Sequence, residues 1–216
     1  MRTRTLITAI AAGGLVTVGA VVAIPAFAAG GPDGAGNAPG AGNGPGAGSS
    51  LMVQDRQRDG TCLTGVVDPS GALSEAQRAT LAANAEEEKL AHDLYTAFAG
   101  RYDAVVFDRI AAAETAHLDA VRTLMSRYQV TDPTAGQAQG HFATPAVQAT
   151  YDRLLAQGSA DQNAALEAGR AVETTDIADL RKAVDGLTAP DVTRVYEHLL
   201  TASQRHLAAF DAWLAR

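Results

Sequence analysis

The chain has 216 residues, of which 47% are hydrophobic and 19% charged, with a formal net charge of −7. That composition supports one sizeable core and excludes disorder throughout, while the net acidity argues against nucleic acid as a partner, since phosphate binding needs a clustered basic face. An aromatic content of 5% and long 3.6-residue periodicities point to an all-α fold, and one cysteine, Cys62, makes neither an internal disulfide nor a thiolate cluster.

Residues 1–28 read as a signal peptide. Arg2 and Arg4 precede an apolar stretch from Leu6 to Ile24, and Ala26-Phe27-Ala28 is a small-residue cleavage motif. The expectation is a secreted or extracellular protein, with cell-envelope association as an alternative and membrane attachment only if the peptide stays uncleaved. Residues 29–50 are almost wholly Gly, Ala, Pro, Asn and Ser, a composition that buries too little apolar surface to order itself and predicts a disordered linker. Residues 51–73 form an irregular lead-in that carries Cys62, read as a small, partly buried residue rather than a functional thiol.

From 74 to 216 helix punctuation sets the reading. Ser74-x-x-Gln77 is a capping box for a helix that Gly100 closes, and Asp103 is expected to cap a second helix running to about Tyr128. Thr144-Pro145 opens a short helix ended by Gly158. Ser159-x-x-Gln162 opens a third long helix ended by Gly186, and Pro190 starts a last one reaching nearly to Arg216. The short joins at Gly100 and Gly186 make two antiparallel hairpins, and the longer segment from Gln129 to Gly158 is a crossover containing the short helix. The predicted architecture is a four-helix bundle.

Each long helix carries ionisable groups in the middle of its apolar stripe. The first stripe is Leu81, Ala85, Glu88, Ala91, Tyr95 and Phe98; the second is Val106, Ile110, Glu114, His117, Val121, Leu124 and Tyr128. The third holds Leu166, Gly169, Glu173, Ile177, Leu180 and Val184, and the fourth repeats every seven residues through Val192, Val195, Leu199, Ala202, His206, Ala209 and Trp213. Glu88 and Glu114 each stand about eleven residues from the Gly100 turn, hence ~17 Å along the helix axis. Glu173, Ser203 and His206 lie at a comparable height, ~20 to 24 Å from the other turn. Three glutamates and two histidines therefore converge on one level of the core, where buried carboxylates need a compensating charge. A metal ion supplies it. Glu114-x-x-His117 is the i, i+3 spacing that aims a carboxylate and an imidazole at one ion, and the predicted ligands are Glu88, Glu114, His117, Glu173 and His206.

The stretch EKLAHDLYTAFA from Glu88 to Ala99, with Glu114-x-x-His117, resembles the helix motifs of rubrerythrins in the ferritin-like superfamily. More specifically, EEEKLAHDLY, Asp132-Pro133, Gly140-His141-Phe142, Tyr151-Asp152-x-Leu154-Leu155, the Glu173 to Leu180 stretch and the Ser203 to Phe210 stretch are similar to the bacterial family called domain of unknown function 2202. The resemblance covers about Ser74 to Leu214 and implies a ferritin-like bundle without an established activity. The superfamily pattern has a second E-x-x-H on the last helix, whereas this chain has Ser203-x-x-His206, so one bridging carboxylate is missing. The resemblance then leaves Glu114 as the bridge of a two-ion site, with a site for a single ion as the alternative, the metal being iron or manganese. Tyr95, Asp176 and Ser203 are expected beside the ligands, with Asp176 or water filling out the second ion's sphere.

Other polar residues read more plainly. His92 is expected to be solvated or hydrogen-bonded, His141 to cap backbone, and Glu86, Glu87 and Lys89 to form a wet shoulder of the first helix. The favoured function is a di-iron-type oxidase or peroxidase acting on O2 or peroxide with an external electron donor. The alternatives are a metal-binding or iron-handling module without turnover and a metal-free secreted interaction bundle. A homo-oligomer is compatible with each. A triad hydrolase is disfavoured, because no G-x-S-x-G elbow is present.

Overall fold

The computed structural model describes residues 71–216. The signal peptide, the linker, the lead-in up to residue 70 and Cys62 lie outside the described residues. Within them the chain is all-helical, with five helices and no strand: α1 Glu75–Ala99, α2 Val106–Arg127, α3 Pro145–Gly158, α4 Gln162–Val184 and α5 Pro190–Leu214. None is long and apolar enough to cross a membrane.

Local chemistry explains most of the boundaries. Ser74 and Gln77 form the reciprocal capping box of α1, with Gln77 N–H donating to Ser74 Oγ at 3.2 Å and Ser74 N–H to Gln77 Oε1 at 2.9 Å. Proline opens α3 and α5, where its missing N–H needs no intrahelical partner. Gly186, at φ 68°, takes the left-handed conformation that turns the chain after α4.

Two expected caps are not formed. Asp103 does not cap α2, which begins at Val106 with no side-chain cap; the intervening turn is fixed instead by Tyr102, whose hydroxyl donates to Gly158 O at 2.7 Å. Ser159 does not cap α4. Its hydroxyl donates back to Leu155 O at 2.6 Å, and Asp161 caps the helix by accepting from Ala164 N–H at 2.8 Å.

The helices α1 and α2 pack along each other, as do α4 and α5; α1 also meets α4, α2 meets α5, and α3 lies against α1 and α4. Arg127 and Tyr128 at the end of α2 reach Asp191 at the start of α5, at 2.6 and 2.7 Å, and fix that pair of ends together. The crossover is pinned to α1 by three buried side chains, of which Glu86 and Lys89 were expected to be wet. Lys89 pairs with Asp93, donates to Ala138 O at 2.9 Å and lies 4.7 Å from the Phe142 ring; Asp93 accepts from Gly140 N–H at 2.8 Å; Glu86 accepts from Thr144 N–H at 3.0 Å. Glu86 and Lys89 are buried, because residues 138–144 cover the helix face that periodicity alone assigns to solvent.

The fourth stripe also departs from expectation. Tyr196, Ser203 and Phe210 are buried, while Ala202, Ala209 and Trp213 are only partly so. A seven-residue repeat drifts against 3.6 residues per turn, and a straight helix keeps the 3.6 period. Val184 on α4 is likewise only partly buried.

The apolar core is split in two. One cluster gathers Leu94, Tyr95, Phe98, Phe107, Leu166 and Phe210 near the α1–α2 turn, and the other gathers Leu81, Val121, Leu124, Leu180, Val192 and Leu199 toward the opposite end. Between them lies a layer of buried polar side chains.

Candidate metal centre

The polar layer is assembled from one helical turn of each long helix. Glu88 comes from α1, Glu114 and His117 from α2, Glu173 from α4 and His206 from α5. Glu88, Glu114, His117 and Glu173 are each no more than 4% exposed. At that burial an ionised carboxylate survives only with compensating partners.

The partners are one another. His117 Nδ1 stands 2.6 Å from Glu114 Oε2 and 3.5 Å from Glu88 Oε2, while His206 Nδ1 stands 2.9 Å from Glu114 Oε1 and 3.7 Å from Glu173 Oε1. The two imidazoles stack with ring centres 5.6 Å apart. Glu114 thus divides its carboxylate, one oxygen facing each histidine. Two triads result, Glu88-Glu114-His117 and Glu114-Glu173-His206, and within each the ligand atoms lie within 4.8 Å of one another. Either triad could hold a metal ion.

The electrostatics follow from that geometry. Burial pushes the Glu88 carboxyl up to about 8, opposed by His117, and burial likewise raises Glu173 against the pull of His206. Burial would also raise Glu114, but His206 and His117 outweigh it and hold that carboxylate well below its ordinary range. The imidazoles respond in the opposite sense. Burial disfavours their charged forms, yet Glu114 lifts His117 well above its ordinary value and His206 to about 10. Without metal the layer is therefore an internal ion-pair array centred on one carboxylate.

One atom of that array lacks a hydrogen bond. His206 Nδ1 is buried and makes no hydrogen bond, although Glu114 Oε1 is only 2.9 Å away. The contact has the distance of an ion pair without the direction of a hydrogen bond. Two donors set side by side in this way suit a shared cation, and imidazole nitrogen with carboxylate oxygen is a donor set for a divalent metal ion rather than for a soft thiophilic one.

The neighbouring residues separate into two kinds. Tyr95 donates its hydroxyl to Glu173 Oε1 at 2.7 Å and to Gly169 O at 3.3 Å, so it holds the carboxylate it was expected to stand beside. Asp176 and Ser203 belong to neither triad: the Ser203 hydroxyl bonds to Asp176 and, at 2.9 Å, to Leu199 O. Ser203 is thus engaged by a carboxylate from α4, and burial raises Asp176 well above its ordinary range. His92 bonds to Asp93 Oδ1 at 2.9 Å, and His141 is exposed in the crossover. His198 escaped the sequence reading. It lies edge-on to His117, ring centres 6.1 Å apart, with Nε2 buried and unbonded. Only its place one residue before Leu199, beside the expected stripe, could have marked it.

All five triad residues fall inside the span that matches a known family. The chain matches the family described as an uncharacterized protein domain (DUF2202) over residues 78–215. It belongs to that family. This DUF2202 chain is also similar to uncharacterized protein MJ0754 of Methanocaldococcus jannaschii, with 34% identity over 142 residues that cover 66% of this chain and 77% of the relative. The crystal structure of hypothetical protein MJ0754 from Methanococcus jannaschii DSM 2661 superposes with a TM-score of 0.68 at 33% identity, covering 69% of this chain and 86% of that one. At that identity the two share a fold, and the DUF2202 span takes in the whole polar layer.

Proposed function

We propose that this DUF2202 protein is a ferritin-like four-helix bundle that holds two ions of iron or manganese in the layer between its apolar clusters. One observation carries the reading: Glu114 presents one carboxylate oxygen to each of two Glu/His triads. Glu88 and His117 are the remaining ligands of one ion, and Glu173 and His206 those of the other. When bound, such a pair supplies redox chemistry toward O2 or peroxide.

The protein's own part is positioning and exclusion of water. Tyr95 fixes the Glu173 carboxylate through its 2.7 Å hydrogen bond, and the phenol, raised well above its ordinary range by burial and then by Glu173, stays a donor. The two apolar clusters close the layer above and below. His206, with 13% of its side chain exposed, is the most accessible ligand. Among the described residues there is no cysteine, so electrons for turnover would come from an external donor. The leader at 1–28 and the linker at 29–50 place this activity outside the cytoplasm in the same proposal, on composition alone.

Elemental analysis of the chain made without a chelating tag tests the reading. About two ions per chain, falling below one in Glu114→Gln, is the expected result. A chain that neither carries nor takes up Fe(II) or Mn(II) at neutral pH would overturn it.

A further inference from the structure

Four buried side-chain atoms among the described residues lack a hydrogen-bond partner, and two of them are imidazole nitrogens, Nδ1 of His206 and Nε2 of His198. Both rings pack against His117. His206 stacks on it with ring centres 5.6 Å apart, and His198 meets it edge-on at 6.1 Å with the planes 85° apart. The two flanking histidines stand eight residues apart on α5, about 12 Å along the axis, so they reach His117 from opposite directions along the bundle. The proposed centre accounts for the bare nitrogen of His206. That of His198 is left over, and a polar atom at this depth costs free energy unless something meets it.

The surroundings of His117 say what would meet it. Glu114 Oε2 and Glu88 Oε2 stand 2.6 and 3.5 Å from His117 Nδ1, the three side chains that form one triad. A metal–imidazole bond of about 2.1 Å, added to the reach from nitrogen to ring centre, puts an ion about 3 Å from the centre of each ring, so two rings that share an ion stand at most about 6.5 Å apart. The 6.1 Å between His117 and His198 falls inside that limit. His198 is only half-buried, with Nε2 on its inner side, so the ring has room to turn about its own side-chain bonds while the α5 backbone stays in place.

We propose that His198 is a further ligand, through Nε2, of the ion held by Glu88, Glu114 and His117, and that it sets the metal preference of that place. This inference rests on the metal-centre reading given above. With His198 the first place combines two imidazoles with Glu88 and the shared Glu114, whereas the second has His206, Glu173 and the shared Glu114. The two places are then unlike. Imidazole suits iron and the later divalent metals, while carboxylate and water suit manganese. The first place therefore selects Fe(II) over Mn(II), and the second discriminates less.

The test is titration of the full chain, stripped with a chelator, with Co(II) and separately with Mn(II) at neutral pH. Co(II) stands in for Fe(II), and its visible absorption reports its ligands. His198→Phe keeps a ring and removes both nitrogens. One of the two Co(II) affinities should fall at least about tenfold, since even a group one step removed from a metal acts on that scale. The absorption of that ion should change with it, the other ion should be held as in the wild type, and Mn(II) affinity should fall by a smaller factor. The melting temperature of the metal-free variant should hold or rise, because an unmet buried nitrogen is gone; if it falls, the same comparison is read from His198→Gln. His141→Gln, at an exposed histidine of the crossover, should titrate as the wild type does. A wild-type chain that binds neither metal sinks the metal centre and this role of His198 together. A wild type that binds two Co(II), with His198→Phe unchanged in affinity and spectrum, overturns only the ligand assignment and leaves water as the partner of Nε2. Equal weakening of both ions, or a loss for Mn(II) as large as for Co(II), also overturns it.

Discussion

Glu114→Gln removes one charge from the middle of the ion-pair array while keeping the side-chain shape. In the metal-free wild type His206 is raised from its ordinary 6.5 to about 10, chiefly by Glu114 acting against burial. A displacement of that size corresponds to about 4 kcal/mol of favourable interaction with the imidazolium at neutral pH. Breaking a buried ion pair from one side costs about 3–5 kcal/mol by a separate route of reasoning, so the two figures agree. The expected loss on Glu114→Gln is therefore about 3–5 kcal/mol at pH 7, read from urea denaturation in chelator. The pH profile carries the sign. A group whose folded pKa is raised contributes stability that is complete below its unfolded value near 6.5 and is lost as pH rises through about 10. The gap between wild type and variant should accordingly be largest below neutrality and shrink steadily from pH 7 to 10. A gap absent at pH 7, or one that widens toward pH 10, would refute the reasoning.

Protons on the two imidazoles and on Glu88 must leave before a metal can bind, so loading at pH 7 should release about two to three protons per chain, and apparent affinity should keep rising with pH up to the raised values; pH-indicator titration in weak buffer checks both. Gly169→Ala should destabilise by about 1–2 kcal/mol despite better helix propensity, since its Cβ would stand 2.6 Å from Phe210 Cζ; Phe210→Leu in the same chain should recover part of the loss, which paired denaturation curves will show. Asp93→Asn should cost about 2–4 kcal/mol and speed hydrogen exchange at the Gly140 amide. Burial would raise Asp93, but His92, Lys89 and Gly140 N–H together lower it, so its contribution is present above 3.8 and fades as acid protonates it; the wild-type advantage should vanish in strong acid.

The parts of the fold that local chemistry decides were open to reading from the chain alone. Ser74 with Gln77, Gly186, Pro145 and Pro190 each act within one turn of their own residue, and the structure has helix ends at all four. Asp103 misled because a long-range bond from Tyr102 to Gly158 holds the turn before α2, and Ser159 because its hydroxyl bonds back to Leu155 O one turn earlier and leaves Asp161 to cap α4. Periodicity also identified the five triad residues, since a buried stripe interrupted by Glu or His is visible in one dimension. It failed at Glu86 and Lys89 for the complementary reason. What buries them is the segment 138–144, some fifty residues away, and no helical period records where a crossover will lie. His198 was hidden likewise, because its meaning comes from a buried nitrogen left without a partner beside His117, which only the assembled layer shows.

The central claim is that Glu114 stands between two metal ions. Crystals of the full chain equilibrated with Fe(II) without oxygen, and diffraction recorded at the iron absorption edge, test it most directly. Two anomalous peaks are expected, one among Glu88, Glu114 and His117 and one among Glu114, Glu173 and His206, with a Glu114 oxygen at bonding distance from each. An ordered polar layer with no anomalous peak, its histidines still paired with Glu114, would contradict the account.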